Sequence, residues 1–126
     1  MKILVTDDSK MARKMVIKTL KESSSNELEI FEAQNGLEAL DLYKQNLPKI
    51  VFLDLTMPVM DGFEALEKIK QFDENAKVVI ISADIQKLSM DRVLALGAFN
   101  FIKKPVDTQK MQQILKKIEE SENNEI

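Results

Sequence analysis

The chain has 126 residues, enough for one domain with a substantial core and too few for two of ordinary size. Lys and Arg number 18 against 21 Asp and Glu, and the net charge of −3 gives no global attraction to nucleic acid or an anionic membrane. Cysteine and histidine are both absent, which excludes disulfides, thiolate nucleophiles, imidazole proton shuttles and every Cys- or His-ligated metal.

Lys2–Thr6 is a short strand-like apolar run that stops at Asp7 and Asp8. Ser9 can cap a helix from Lys10 to Glu22, with Met11, Met15 and Leu20 among its apolar positions. A Ser-rich loop leads to a second strand over Leu28–Ala33, and Asn35-Gly36 turns into a helix running through Leu42 and Tyr43. Lys49–Asp54 reads as a fully buried strand, because consecutive β-branched and aromatic residues suit a sheet covered on both faces. After a loop with Pro58 and Gly62, Phe63, Leu66 and Ile69 mark a helix that ends near Phe72. Lys77–Ser82 is another buried strand, followed by a helix from Ile85 to Leu96 that Gly97 stops. Phe99–Lys103 is the last strand, and beyond Pro105 a helix spans Thr108–Glu120. Residues 1–121 form the domain expected here, with 122–126 a short polar tail.

Strands alternating with helices at this spacing predict an α/β fold, a doubly wound parallel sheet of five strands with five helices on its two faces. Residues following Met1 turn acidic too soon for a signal peptide, and no apolar run approaches the ~20 residues that span a bilayer. A cytoplasmic protein without membrane insertion is expected.

Ligands of open parallel sheets bind beyond the carboxyl ends of the strands. Asp7 and Asp8 end the first strand, Asp54 the third, Ser82 the fourth, and Lys103-Lys104 the fifth. Each alone has an ordinary explanation as a helix cap or a solvated corner. Their concurrence on one rim is harder to explain that way. Three carboxylates in one place repel one another unless a cation joins them or some are protonated. With neither Cys nor His available, that cation is a hard ion, and Mg²⁺ is the natural guest. A lysine and a hydroxyl nearby can then hold phosphoryl oxygens, and a carboxylate can itself accept the phosphoryl group.

Val5-Thr6-Asp7-Asp8-Ser9, Asp54-Leu55-Thr56-Met57-Pro58-Val59-Met60-Asp61-Gly62, Ser82-Ala83 and Lys104-Pro105 resemble, in order and spacing, the receiver domains of bacterial two-component response regulators. The resemblance covers essentially the whole chain and implies the flavodoxin-like strand order 2-1-3-4-5, for which one member of this family is a standard illustration. It implies that Asp54 is the phosphoacceptor and that Asp8 and Asp54 ligate Mg²⁺ directly, with Asp7 acting through metal-bound water. Thr56 would add its backbone carbonyl. Ser82 and Lys104 would hold the phosphoryl group, and a cis peptide would precede Pro105. The adjoining Pro105 also selects Lys104 over Lys103, a choice that periodicity leaves open. Phe101 matches an aromatic switch position, though an ordinary core phenylalanine would read the same way. Thr56 and Asp84 occupy two positions that tune the lifetime of the phosphoryl group.

The partners implied are a histidine kinase or histidine phosphotransfer protein as donor, and a downstream protein that binds the surface of helix 4, strand 5 and helix 5. The chemotaxis regulators, which consist of a receiver alone, are the nearest kind. DNA binding has no support, since no basic helix stands out. Two rivals come from other classes. One is an aspartyl-phosphate phosphatase of the haloacid dehalogenase-like kind, which needs a second acid two residues after the nucleophile, where this chain has Thr56. The other is a phosphorylation-independent docking module.

Overall fold

The structure is a computed structural model that describes residues 1–83 and 86–123. Five strands, β1 (Lys2–Thr6), β2 (Glu29–Ala33), β3 (Ile50–Leu53), β4 (Val78–Ser82) and β5 (Asn100–Lys103), form one parallel sheet in the order β2-β1-β3-β4-β5. Helices α1 (Lys10–Ser23), α2 (Gly36–Asn46), α3 (Gly62–Phe72), α4 (Lys87–Ala95) and α5 (Thr108–Asn123) connect and cover it. The expected fold class and strand order are both observed.

Alternation along the strands divides the core. Ile3, Val5, Phe52, Val79 and Ile81 point to the face covered by α1 and α5, where Val16, Leu20, Met111, Ile114 and Ile118 meet them. Leu4, Val51, Leu53, Val78 and Ile80 point the other way, onto Leu40, Leu66, Ile69 and Val93 of α2, α3 and α4. The central strands β3 and β4 are buried along their whole length, which is why their sequences are continuous apolar runs.

Local signals start and stop the helices. The side chains of Ser9, Asn35 and Asp61 each accept a backbone N–H three residues on, from Ala12, Glu38 and Glu64 respectively. Gly97, at φ +98°, turns the chain out of α4 in the left-handed region, where a side chain would be strained.

The sequence left the inner face of α1 open and set the end of α5 too early. Met11 and Met15 are exposed, and the buried face of α1 consists of Arg13, Val16, Thr19 and Leu20. The α1 stripe is therefore one position out of phase with its methionines, because Arg13 finds partners in other elements. α5 also runs past Glu120 to Asn123, and Glu122, 3.0 Å from Lys49, ties its last turn to the start of β3.

Candidate functional site at the carboxyl rim of the sheet

β1 and β3 are neighbours and end level with each other, Thr6 pairing with Leu53. The residues that follow them therefore arrive side by side. Asp7, Asp8 and Asp54 each present a carboxylate oxygen, and these oxygens lie within 4.8 Å of one another. Asp7 and Asp54 are buried, whereas Asp8 is exposed. The set contains only hard oxygen donors, and three carboxylates so close together fit a divalent cation of the Mg²⁺ class.

Asp7 is held at every polar atom. Its N–H donates to the Ala33 carbonyl at 3.1 Å, and its own carbonyl accepts from Arg13 Nη1 at 2.8 Å. One carboxylate oxygen accepts from the Ser9 N–H at 2.9 Å and the other from Lys104 Nζ at 2.7 Å. Asp54 is oriented in a similar way. The Leu55 N–H donates to its Oδ1 at 2.8 Å, and Lys104 Nζ lies 3.2 Å from Oδ2.

Lys104 comes from the end of β5, and its backbone N–H donates to the Ser82 carbonyl at 3.0 Å, so the neighbouring strand directs it towards the cluster. The peptide between Lys104 and Pro105 is cis, as the resemblance implied. Burial pushes the Asp54 carboxyl above its usual pKa. Lys104 opposes that shift and the charge of Asp7 adds to it. Burial works against the Lys104 ammonium too, but its hydrogen bond to Asp7 and the charges of Asp54 and Asp7 outweigh it, and the lysine pKa rises. Both partners of the Lys104–Asp54 pair are thus raised. One ammonium faces more than one carboxylate, so it is strongly held while Asp54 is incompletely compensated.

Ser82 is buried at the end of β4, paired with Lys103 across to β5. Thr56 is exposed in the loop after β3. Phe101 is half-buried on β5, packed against the core under α2, α3 and α4. Asp84 lies outside the described residues. The loop carries two tight features. A Cβ on Gly62 would lie 2.1 Å from the Asp54 carbonyl oxygen, so the start of α3 is packed directly on the backbone of Asp54. Pro58–Met60 forms a γ-turn, with the Met60 N–H 2.7 Å from the Pro58 carbonyl and Val59 held at φ +68°, a strained region for a β-branched residue.

Arg13 and Glu32 were not among the expected site residues. Arg13 is buried, and its Nε donates to Glu32 Oε1 at 2.9 Å while Nη1 reaches the Asp7 carbonyl. No local pattern marks this pair, since the two residues sit on different elements and 19 positions apart. An apolar groove of about 300 Å³, lined by Ala12, Met15, Val16, Ile81, Pro105 and Val106, opens beside Lys104. No helix among the described residues is long and apolar enough to cross a membrane.

Residues 3–116 match the response regulator receiver domain. The chain is 42% identical to the chemotaxis protein CheY of Treponema pallidum over 87% of its own length and 76% of that protein. It is 39% identical to CheY of Listeria monocytogenes over 93% of its length and 97% of that protein. Among solved structures it resembles the CheX–CheY–BeF3–Mg²⁺ complex from Borrelia burgdorferi, with a TM-score of 0.84 and 35% identity, covering 93% of this chain and 87% of that one. With the rim cluster in place and relatives matching along nearly the whole sequence, the chain belongs to the response regulator receiver domain family, as a phosphoacceptor homologous to CheY.

Proposed function

We propose that Asp54 is the residue that accepts the phosphoryl group, that Asp7, Asp8, Asp54 and the Thr56 carbonyl hold Mg²⁺, and that a protein partner reads the phosphorylated state on the α4–β5–α5 face. The observation that carries this reading is the meeting of three carboxylates from two strands with the ammonium of Lys104 from a third. A relative at 35% identity whose structure holds BeF3, Mg²⁺ and the partner CheX supports both the ion and a protein readout. When bound, Mg²⁺ supplies charge neutralisation for phosphoryl oxygens.

Lys104 favours the ionised, nucleophilic form of Asp54, and the Leu55 N–H fixes the rotamer of its carboxylate. The carboxylate attacks the phosphorus of a phosphohistidine on a histidine kinase or phosphotransfer protein. An O–P bond forms, the N–P bond breaks, and the imidazole leaves with its electron pair. The groove beside Lys104, with exposed Met15 at its edge, offers that donor an apolar seat next to the acceptor. Lys104 then turns from the carboxylates to the new phosphoryl oxygens, and the Ser82 hydroxyl joins it as a donor. Their inward pull leaves room for Phe101 to repack, and α4, β5 and α5 change the surface they present. The domain promotes its own phosphorylation by positioning, and water hydrolyses the acyl phosphate to reset it. Thr56 and Asp84 tune that lifetime, residues 1–121 carry the chemistry with Glu122 closing the last turn of α5 onto Lys49, and the domain works in the cytoplasm.

Labelling with a small acyl-phosphate donor and Mg²⁺ tests the assignment. The wild-type chain acquires an acid-stable, base-labile label and Asp54→Asn acquires none. Label that persists on another residue of the variant refutes it.

A further inference from the structure

We infer that Arg13 is a positioning residue for the acidic cluster: it fixes the peptide plane between Asp7 and Asp8 and so aims the Asp8 carboxylate, with Glu32 steadying its guanidinium. The inference rests on the reading of Asp7, Asp8 and Asp54 as a cation site.

The placement of Arg13 is costly on two counts. It lies in the first turn of α1, where the helix dipole disfavours a cation, and it is only 7% exposed, which strips water from its charge. Core packing alone would be better served by an apolar residue. What the guanidinium does instead is bridge two elements: Nε meets Glu32 of β2 at 2.9 Å and Nη1 meets the Asp7 carbonyl at 2.8 Å.

The Asp7 carbonyl belongs to the amide that joins Asp7 to Asp8. Holding that oxygen sets the rotation of the peptide plane, and the plane sets the direction in which Asp8 leaves the backbone. Asp8 needs this support. Asp7 and Asp54 have hydrogen bonds to their carboxylates, whereas among the described residues the exposed Asp8 carboxylate accepts none. Its aim into the cluster is inherited from the main chain. Glu32 offsets the cation's charge, so the clamp acts through geometry more than through repulsion of an incoming ion.

Ion discrimination separates positioning from general stability. Mg²⁺ demands near-ideal octahedral ligands while Ca²⁺ tolerates irregular ones, so a loosened Asp8 penalises Mg²⁺ more. Titration calorimetry of the unphosphorylated full chain with Mg²⁺ and with Ca²⁺ reads the ratio. In Arg13→Met, which keeps the apolar stem, the Kd for Mg²⁺ rises about tenfold, a typical loss when a ligand's support is removed. The Kd for Ca²⁺ rises less than about threefold, and Arg13→Lys, whose ammonium can still reach the Asp7 carbonyl, recovers part of the preference. A folded Arg13→Met with unchanged Mg²⁺ affinity, or with both ions weakened equally, overturns the inference. Should Arg13→Met fail to fold, Glu32→Ala at its half-exposed position decides alone: a lowered preference for Mg²⁺ supports the clamp, and an unchanged or parallel shift rejects it. A wild-type chain that binds no Mg²⁺ would instead sink the cation-site reading itself.

Discussion

Asp54→Asn should stabilise the metal-free protein while abolishing its chemistry. In the wild type, Asp54 faces Asp7 and Asp8 with carboxylate oxygens within 4.8 Å, and Lys104 stands 3.2 Å away. At an effective dielectric of about 20, each repulsion is worth roughly 3.5 kcal/mol and the attraction roughly 5. Lys104 outweighs Asp7 alone, so the net penalty on the Asp54 charge comes first from burial, with the solvent-screened charge of the exposed Asp8 adding to it. Lys104 is 28% exposed, so screening trims these terms, and a gain of about 1–2 kcal/mol is expected for the variant. For a domain of this size that is a rise in Tm of about 3–8 °C. Thermal melts in EDTA at low salt measure it. Saturating Mg²⁺ at about 100 times its Kd should then raise the wild type by about 2.7 kcal/mol and the variant by less. The sign with pH follows from the raised pKa of Asp54. The stability linked to it is complete below the unfolded carboxyl value of about 3.9 and is lost as pH rises through the higher folded value. The advantage of Asp54→Asn should therefore vanish in acid and grow towards neutrality. A variant that melts below the wild type in EDTA at pH 7 would show that the Asp54 charge carries no net penalty.

Gly62→Ala should cost about 2–3 kcal/mol or more, because the new Cβ meets the Asp54 carbonyl at 2.1 Å and backbone must move; a urea midpoint equal to wild type would contradict that contact. Val59→Asn should stabilise by about 1 kcal/mol, since Val59 is exposed, packs little and holds a left-handed φ that Asn tolerates; a lower Tm would show that no strain resides in this turn. Lys104→Ala should remove phosphorylation-dependent partner binding, and a pull-down in which the labelled variant binds normally would show that Lys104 does not transmit the signal.

Much of the architecture is legible in local chemistry. Ser9, Asn35 and Asp61 announce helix starts through their own side-chain oxygens, and Gly97 announces a stop through its freedom at positive φ. The runs Ile50–Leu53 and Val78–Ser82 declare strands covered on both faces. Alternation of the elements then predicts a parallel sheet, and the motif segments add the strand order by resemblance. The reactive residues are legible for the same reason, since in such a sheet the residue after each strand must lie on one rim.

Distances and partners across elements were not legible. Met11 and Met15 count among the apolar positions of α1 yet stay exposed, while Arg13 lies inside, where Glu32 and the Asp7 carbonyl satisfy its charge. Lys103 and Lys104 are indistinguishable by periodicity; the bond from the Lys104 N–H to Ser82 on β4 helps direct the second of them to the carboxylates. Patterns of apolar residues report which side of one element meets the core, a property that each segment carries within itself. The compensation of a buried charge depends on atoms brought together from β1, β2, β3 and β5, and it exists only once the sheet has assembled them.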